Sequence, residues 1–225
     1  MVPAVRLTGT VAELHGRDAF EAVDGPVVVE CAFTDAAIVL GSRQTPDAAD
    51  HARAATDGVS VVRRRSGGGA VLMIPGSVIW VDLVIPTGTP GWSDDVRASM
   101  VLAGTIWRAA LDEPTLTVHD GGMVATPWSP HVCFAGTGPG EVLRGGAKLV
   151  GLSQRRTRHG AWIQGLVHTA AIVERTPRYL TGAPPARVPV PPAAIVAPHQ
   201  ADRLAARLAD GLTHSLQFAR SARRR

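Results

Sequence analysis

Between residues 59 and 85 the chain sets down three strand-like runs in succession, 59–65 (Val-rich and ending in three arginines), 70–74 and 78–85, divided only by Ser66-Gly67-Gly68-Gly69 and by Pro75-Gly76-Ser77. Short runs rich in Val and Ile and closed by Gly or Pro are strand signals, and parallel neighbours need a crossover of a dozen residues or more. No such crossover fits here, so the centre of the fold is expected to be antiparallel. Residues 70–74 and 78–85 read as a hairpin around Pro75-Gly76. A second hairpin is expected where 141–144 and 147–152 flank Gly145-Gly146, and 157–160 should turn the chain back into 161–168. Residues 26–33, 36–41 and 115–119 add further strands.

Helices are fewer. Residues 47–56 begin beside Pro46 and stop at Gly58, and Ser93 is the expected N-cap of a helix in which Val96, Met100, Ala103, Trp107 and Leu111 recur at helical spacing. A Pro-rich connector at 184–198 leads to a closing helix at about 200–219, marked by Leu204, Leu208, Leu212 and Leu216. The part up to Gly25 has no clear period, and 120–139 is irregular. Strands grouped around a few helices predict an α/β (α+β) fold, a mixed and mostly antiparallel sheet with packed helices, in one domain over 1–225.

The 225 residues, 45% hydrophobic and 19% charged, suffice for a core without covalent staples, and the two cysteines, Cys31 and Cys133, exclude a disulfide framework. The best apolar run, 77–85, carries Asp82 in its middle and is far short of a membrane span. No signal-like segment opens the chain, so a cytoplasmic location is expected. The net charge of +4 sits partly in Arg220, Arg223, Arg224 and Arg225, which read as a solvated tail. With 4% aromatic residues a base-stacking platform is improbable, and nucleic acid is not the expected partner. His119, Asp120, His131, His159 and His168 show no zinc spacing, so no metal is expected. Of 23 basic residues 22 are Arg, and Lys148 is the one Lys. A lone Lys in such a chain is either a chance survivor or a position that needs a compact ammonium.

The glycines of Ser66-Gly67-Gly68-Gly69 expose backbone N–H groups to an anion or an acyl carbonyl, and of Arg63, Arg64 and Arg65 at most two can face one site. The loop has neither Walker nor dinucleotide spacing. Lys148 starts a strand, where its ammonium can stabilise a developing oxyanion. Cys133, beside Phe134 and two residues after His131, is either a small buried hydrophobe or a thiolate nucleophile. Residues 154–158 are either a charged hairpin tip or a binding site for an acidic partner.

Val62-Arg63-Arg64-Arg65-Ser66-Gly67-Gly68-Gly69-Ala70-Val71, followed by Gly146-Ala147-Lys148-Leu149-Val150-Gly151-Leu152-Ser153-Gln154-Arg155-Arg156, resembles the lipoate-protein ligase A and octanoyltransferase family, relatives of the biotin-protein ligases. The likeness runs from about 30 to 168. It implies the catalytic fold of biotin ligases and class II synthetases. It also implies that Arg64, Arg65, Ser66, Gly67, Gly68, Gly69 and Ala70, with Gly151, Ser153 and Gln164, line the acyl site, and that Lys148 contacts the activated carbonyl. Ser129-Pro130-His131-Val132-Cys133-Phe134 resembles the segment bearing the nucleophilic cysteine of one octanoyltransferase branch. That implies a thioester on Cys133, with acyl carrier protein as donor and a lysine of a lipoyl domain as acceptor. No tightly bound cofactor is implied, octanoate or lipoate being the substrate; ATP and Mg2+ enter only by the ligase route through acyl-AMP. Leu72, Met73 and Ile74 stand where many ligases have an aromatic and His-Asp, Gln164-Gly165 replaces a His-Gly, and an N-terminal acidic helix is not evident. A non-catalytic module binding an acidic acyl carrier or, less in keeping with the few aromatic residues, nucleic acid is the contrasting expectation.

Overall fold

The computed structural model describes the chain except residues 22, 90–91, 183, 185–188 and 223–225 and the side chains of 198 and 219–222. The terminal arginines and part of the Pro-rich connector therefore lie outside the described residues. In chain order the elements are β1 (Ala4–Gly9), α1 (Val11–Gly16), β2 (Val27–Phe33), β3 (Ala37–Leu40), α2 (His51–Thr56), β4 (Ser60–Arg63), β5 (Val71–Met73), β6 (Val78–Pro86) and α3 (Val96–Leu111). They continue with β7 (Thr117–Val118), β8 (Val142–Arg144), β9 (Ala147–Thr157), β10 (Gly160–His168), α4 (Pro198–Ala201) and α5 (Leu204–Ala222).

Seven strands form the large sheet in the order β1-β2-β6-β10-β9-β8-β7, and three form a small one, β4-β3-β5. Among the described residues β1–β2 and β3–β4 are the parallel strand pairs and the other pairs are antiparallel, so the mixed, mostly antiparallel fold expected from the sequence is what forms. The alternation of β6 divides the interior. Val81, Leu83 and Ile85 face a core built with Ile106 and Trp107 of α3 and Leu208 and Leu212 of α5. Trp80 and Val84 face a second core shared with Val39, Val71 and Met73 of the small sheet and with Leu14 of α1. Beyond the small sheet a third core gathers Ile38, Leu40, Ala54, Phe134 and Tyr179.

Three local expectations are corrected. Residues 70–74 and 78–85 are not a hairpin. β5 pairs with β3 and β6 pairs with β2 and β10, so Pro75-Gly76 carries the chain from one sheet to the other. The N-cap of α3 is Asp95, whose carboxylate accepts from the N–H groups of Arg97 and Ala98, while Ser93 Oγ accepts from Asp95 N–H. The N-terminal part is ordered into a strand and a helix. Thr10 and Glu13 close a capping box, the Thr10 side chain accepting from Glu13 N–H and the Glu13 carboxylate from Thr10 N–H. The Gly145-Gly146 hairpin forms as expected, both glycines at positive φ (56° and 83°).

Inside the large sheet Asp82 has 0% exposure. Its carboxylate accepts from Trp80 Nε1 at 2.6 Å, Trp162 Nε1 at 2.7 Å and Arg17 Nη2 at 2.5 Å. Burial raises its pKa and the Arg17 charge opposes that rise, so the ion is held by the full set of partners a buried charge requires.

Candidate active site

The glycine-rich loop and the cysteine segment are joined by their backbones. Ala70 N–H donates to the His131 carbonyl at 2.7 Å, and Cys133 N–H donates to the Ala70 carbonyl at 2.9 Å. This approach depends on Gly69, where a Cβ would lie 2.7 Å from the Val132 backbone. Residues 120–139 thus fold back over the start of β9, as a meeting of Cys133 with Lys148 demands.

Lys148 meets the cysteine through its backbone. Nζ donates to the Cys133 carbonyl at 2.7 Å and pairs at 2.7 Å with Glu141 Oε2, the two side chains only 3% and 5% exposed. Glu141 is itself fixed, Oε2 accepting from Gly138 N–H at 2.7 Å and Oε1 from Leu152 N–H at 3.2 Å. The ammonium also lies 5.4 Å from the centre of the Phe134 ring. Two of its three donors are engaged, and one N–H remains.

Of the three consecutive arginines only Arg64 turns inward; Arg63 and Arg65 are exposed. The buried guanidinium donates to the carbonyls of Gly67 at 2.8 Å, Gly69 at 2.9 Å and Val39 at 3.3 Å, which shapes the glycine loop from within. The Cys133 thiol lies against it, and burial lowers the guanidinium pKa.

A narrow cavity of about 40 Å³ lies between the two sheets. Val39, Val71 and Met73 wall it on one side and Trp80, Leu152 and Leu166 on the other, with Cys133, Arg64, Ser153, Gln164 and His15 supplying polar groups. Ser66, just outside the lining, donates its hydroxyl to Gln164 Oε1 at 2.8 Å and sits 2.9 Å from Ser153 Oγ. Gln164 Nε2 in turn meets His15 Nδ1 at 3.2 Å. The His15 ring stacks on Trp80 with centroids 4.2 Å apart. Burial first, then the charges of Arg64 and Arg17, hold His15 down to about 3, so it is neutral. A wider groove of about 670 Å³ beside β1 contains none of the expected site residues.

The structure therefore brings Cys133, Arg64, Gly151, Ser153 and Gln164 to one cavity, with Ser66 joined by hydrogen bonds and Gly69 and Ala70 buried in the backbone junction. Gly67 is half-buried and offers its carbonyl to Arg64; Gly68 is exposed, with positive φ. Arg65 lies outside the cavity wall, as does Lys148, which reaches the site through the Cys133 carbonyl. Sequence reasoning missed Glu141 and His15. The Thr10-x-x-Glu13 capping pattern is the signal from which the helix carrying His15 could have been read, but nothing local pointed to a partner 149 residues away. Among the described residues no group of three or more His, Cys, Asp or Glu is arranged to hold a metal ion, and no helix is long and apolar enough to cross a membrane.

The family model of the lipoyl protein ligase A/B catalytic domain matches residues 19–210, and the chain belongs to that family. Its fold is that of solved lipoate ligases. One is lipoate-protein ligase A bound with ATP, 15% identical with a TM-score of 0.71, the match covering 96% of this chain and 86% of that one. Another is Thermoplasma acidophilum protein Ta0514, a lipoate protein ligase by description, with bound lipoic acid, 15% identical with a TM-score of 0.68 over 96% and 86% of the two chains. A third belongs to a Thermoplasma acidophilum lipoylation system described as a bi-partite lipoate protein ligase and its E2 lipoyl domain, 14% identical with a TM-score of 0.68 over 96% and 84%. No curated protein sequence matches the chain. The chain is a lipoate-protein ligase-like catalytic domain, an enzyme of the ligase or transferase type.

Proposed function

We propose that the chain, acting over 1–225 as one catalytic unit, attaches an octanoyl or lipoyl group to a lysine of a lipoyl-domain carrier protein through a thioester on Cys133. The observation that carries this reading is the position of Cys133, in the wall of an apolar cavity, against the buried Arg64 guanidinium and with its carbonyl held by Lys148. In the first step the Cys133 sulfur gives up its proton and attacks the carbonyl of an acyl thioester on acyl carrier protein. The carrier thiolate departs and takes up a proton. In the second the lysine amine of the lipoyl domain attacks the Cys133 thioester, the amide forms, and the amine's proton and the cysteine sulfur are released. Arg64 and the remaining N–H of Lys148 supply positive charge where the tetrahedral oxygen develops. Gly151, Ser153, Gln164 and the 64–70 loop hold the acyl chain, Arg65 acting only at the rim where it is exposed.

The second reading is ATP-dependent ligation of lipoate, with ATP and Mg2+ as co-substrates. It is favoured by the likeness to a lipoate-protein ligase solved with ATP. An intact-protein mass spectrum after mixing with octanoyl-acyl carrier protein, without ATP, distinguishes the two. The thioester route gives an octanoyl adduct that the lipoyl domain removes and that Cys133→Ser abolishes. Retained, ATP-dependent loading of the lipoyl domain by Cys133→Ser contradicts that route and establishes ligation.

A further inference from the structure

The cavity has an outer and an inner end, and β5 measures the distance between them. A Cβ on the exposed Gly68 would lie 3.5 Å from the Cys133 sulfur, which sets that sulfur at the outer end. Cys133 N–H donates to the Ala70 carbonyl, immediately before β5. The alternation of β5 then sends Val71 and Met73 into the cavity wall and Leu72 to the third core. Met73 stands three residues beyond Ala70, about 10 Å along an extended strand. It is 1% exposed, and Trp80 of the facing wall is 2% exposed, so this end is closed. An acyl group on Cys133 thus has its carbonyl at the mouth and the tail of its chain directed at Met73, and an extended octanoyl chain has about that reach.

The space between is too small for such a chain unless a wall yields. The cavity holds about 40 Å³, well under the roughly 150 Å³ that admits a benzene molecule. Most of the wall is fixed. Trp80 stacks on His15 and donates to Asp82, Phe134 is held against Gly151 and His168, and Val39 and Val71 are short and stiff at χ1. Among the described lining residues Met73 is the one long, unbranched apolar side chain. Its three rotatable bonds let it change shape without leaving its place.

We propose that Met73 is the residue that sets acyl-chain length: its side chain closes the inner end of the cavity, turns aside to admit the last carbons of the chain, and limits how many can enter. This rests on the acyl-transfer reading above. Shortening Met73 leaves apolar space at the closed end, which a longer chain fills with its additional methylenes. Each methylene so buried favours the longer chain by about fourfold.

The test is a competition. The full chain and a lipoyl domain receive equimolar hexanoyl, octanoyl, decanoyl and dodecanoyl groups, supplied as carrier-protein thioesters and, separately, as free acids with ATP. Product masses on the lipoyl domain give the ratios. Met73→Ala is expected to raise the decanoyl-to-octanoyl ratio over that of the unaltered chain by about fourfold or more. Leu72→Ala, cut from the same strand but facing the third core, is expected to lower stability and leave the ratios as they were. An unchanged decanoyl-to-octanoyl ratio in Met73→Ala overturns the assignment, as does an equal rise in Leu72→Ala, which would trace the effect to a loosened strand. If Met73→Ala fails to fold, Met73→Val, which removes less of the side chain, is judged by the same ratio. No product from any donor with the unaltered chain overturns the acyl-transfer reading and the role of Met73 with it, whereas product formed with unshifted ratios overturns the role of Met73 alone.

Discussion

At the scale of single residues, Lys148 carries a full charge into a nearly dry site, and Glu141 makes that tolerable. Removing one partner of a buried pair leaves the other uncompensated, at a cost of about 3–5 kcal/mol. Glu141→Gln is therefore expected to lose stability of that order in urea denaturation, because the amide keeps the side-chain volume but not the charge. A loss below about 1 kcal/mol, typical of exposed pairs, would show that water reaches the ammonium. Composition singled out Lys148, the one Lys among 23 basic residues, but its partner was not legible. Glu141 stands in a strand-like stretch that any exposed Glu could occupy, and only the hairpin between β8 and β9 turns it toward the amine.

At the scale of elements, the site depends on two loops laid backbone to backbone. Gly69→Ala puts a methyl 2.7 Å from the Val132 backbone, which no side-chain rotation relieves. Overpacking of this kind costs about 1–3 kcal/mol. The expected outcome is a lowered melting temperature together with slower formation of the Cys133 adduct, read by intact mass against time; an adduct rate equal to wild type would mean that the loops separate without moving the sulfur. The glycine loop, the 141–152 hairpin and the two long helices were legible because each is written in local chemistry: turn glycines, and apolar residues at helical spacing, although the cap of the first long helix fell on Asp95 rather than Ser93. The supposed hairpin at 70–85 was misread for the complementary reason. Apolar runs such as Val71–Met73 and Val78–Pro86 announce strands but not which sheet each joins. That is decided by partners far away, β3 for one and β2 and β10 for the other.

For the whole molecule, two imidazoles couple folding to acidity. Burial lowers the pKa of His168 from 6.5 to about 4, and burial with the Arg64 and Arg17 charges lowers that of His15 from 6.5 to about 3. Below pH 6.5 the unfolded chain takes up protons that the folded chain refuses until the lower values are reached. Stability contributed by these rings is thus present above pH 6.5 and falls as pH is lowered, by up to about 1.4 kcal/mol per pH unit for each ring. Both ring nitrogens of His168 lack partners, and the ring packs edge-on against Phe134, centroids 4.4 Å apart, so Phe can take its place. His168→Phe is expected to flatten the dependence of the urea midpoint on pH between about 6.5 and 4, and a profile parallel to wild type would contradict the assignment.

Asp82 has a consequence for how the chain finds this arrangement. Sliding β6 by one residue against its neighbours would exchange its two faces and deliver the carboxylate to the side occupied by Ile106, Trp107, Leu208 and Leu212. Trp107 could offer one indole N–H there, but nothing on that side replaces the second indole and the guanidinium, and an ion so poorly paired would be far costlier than a misplaced valine. The same slip would carry Trp80 away from His15. A strand otherwise made of nearly interchangeable aliphatic residues is in this way given a single permitted alignment, and the cavity beside it inherits that uniqueness.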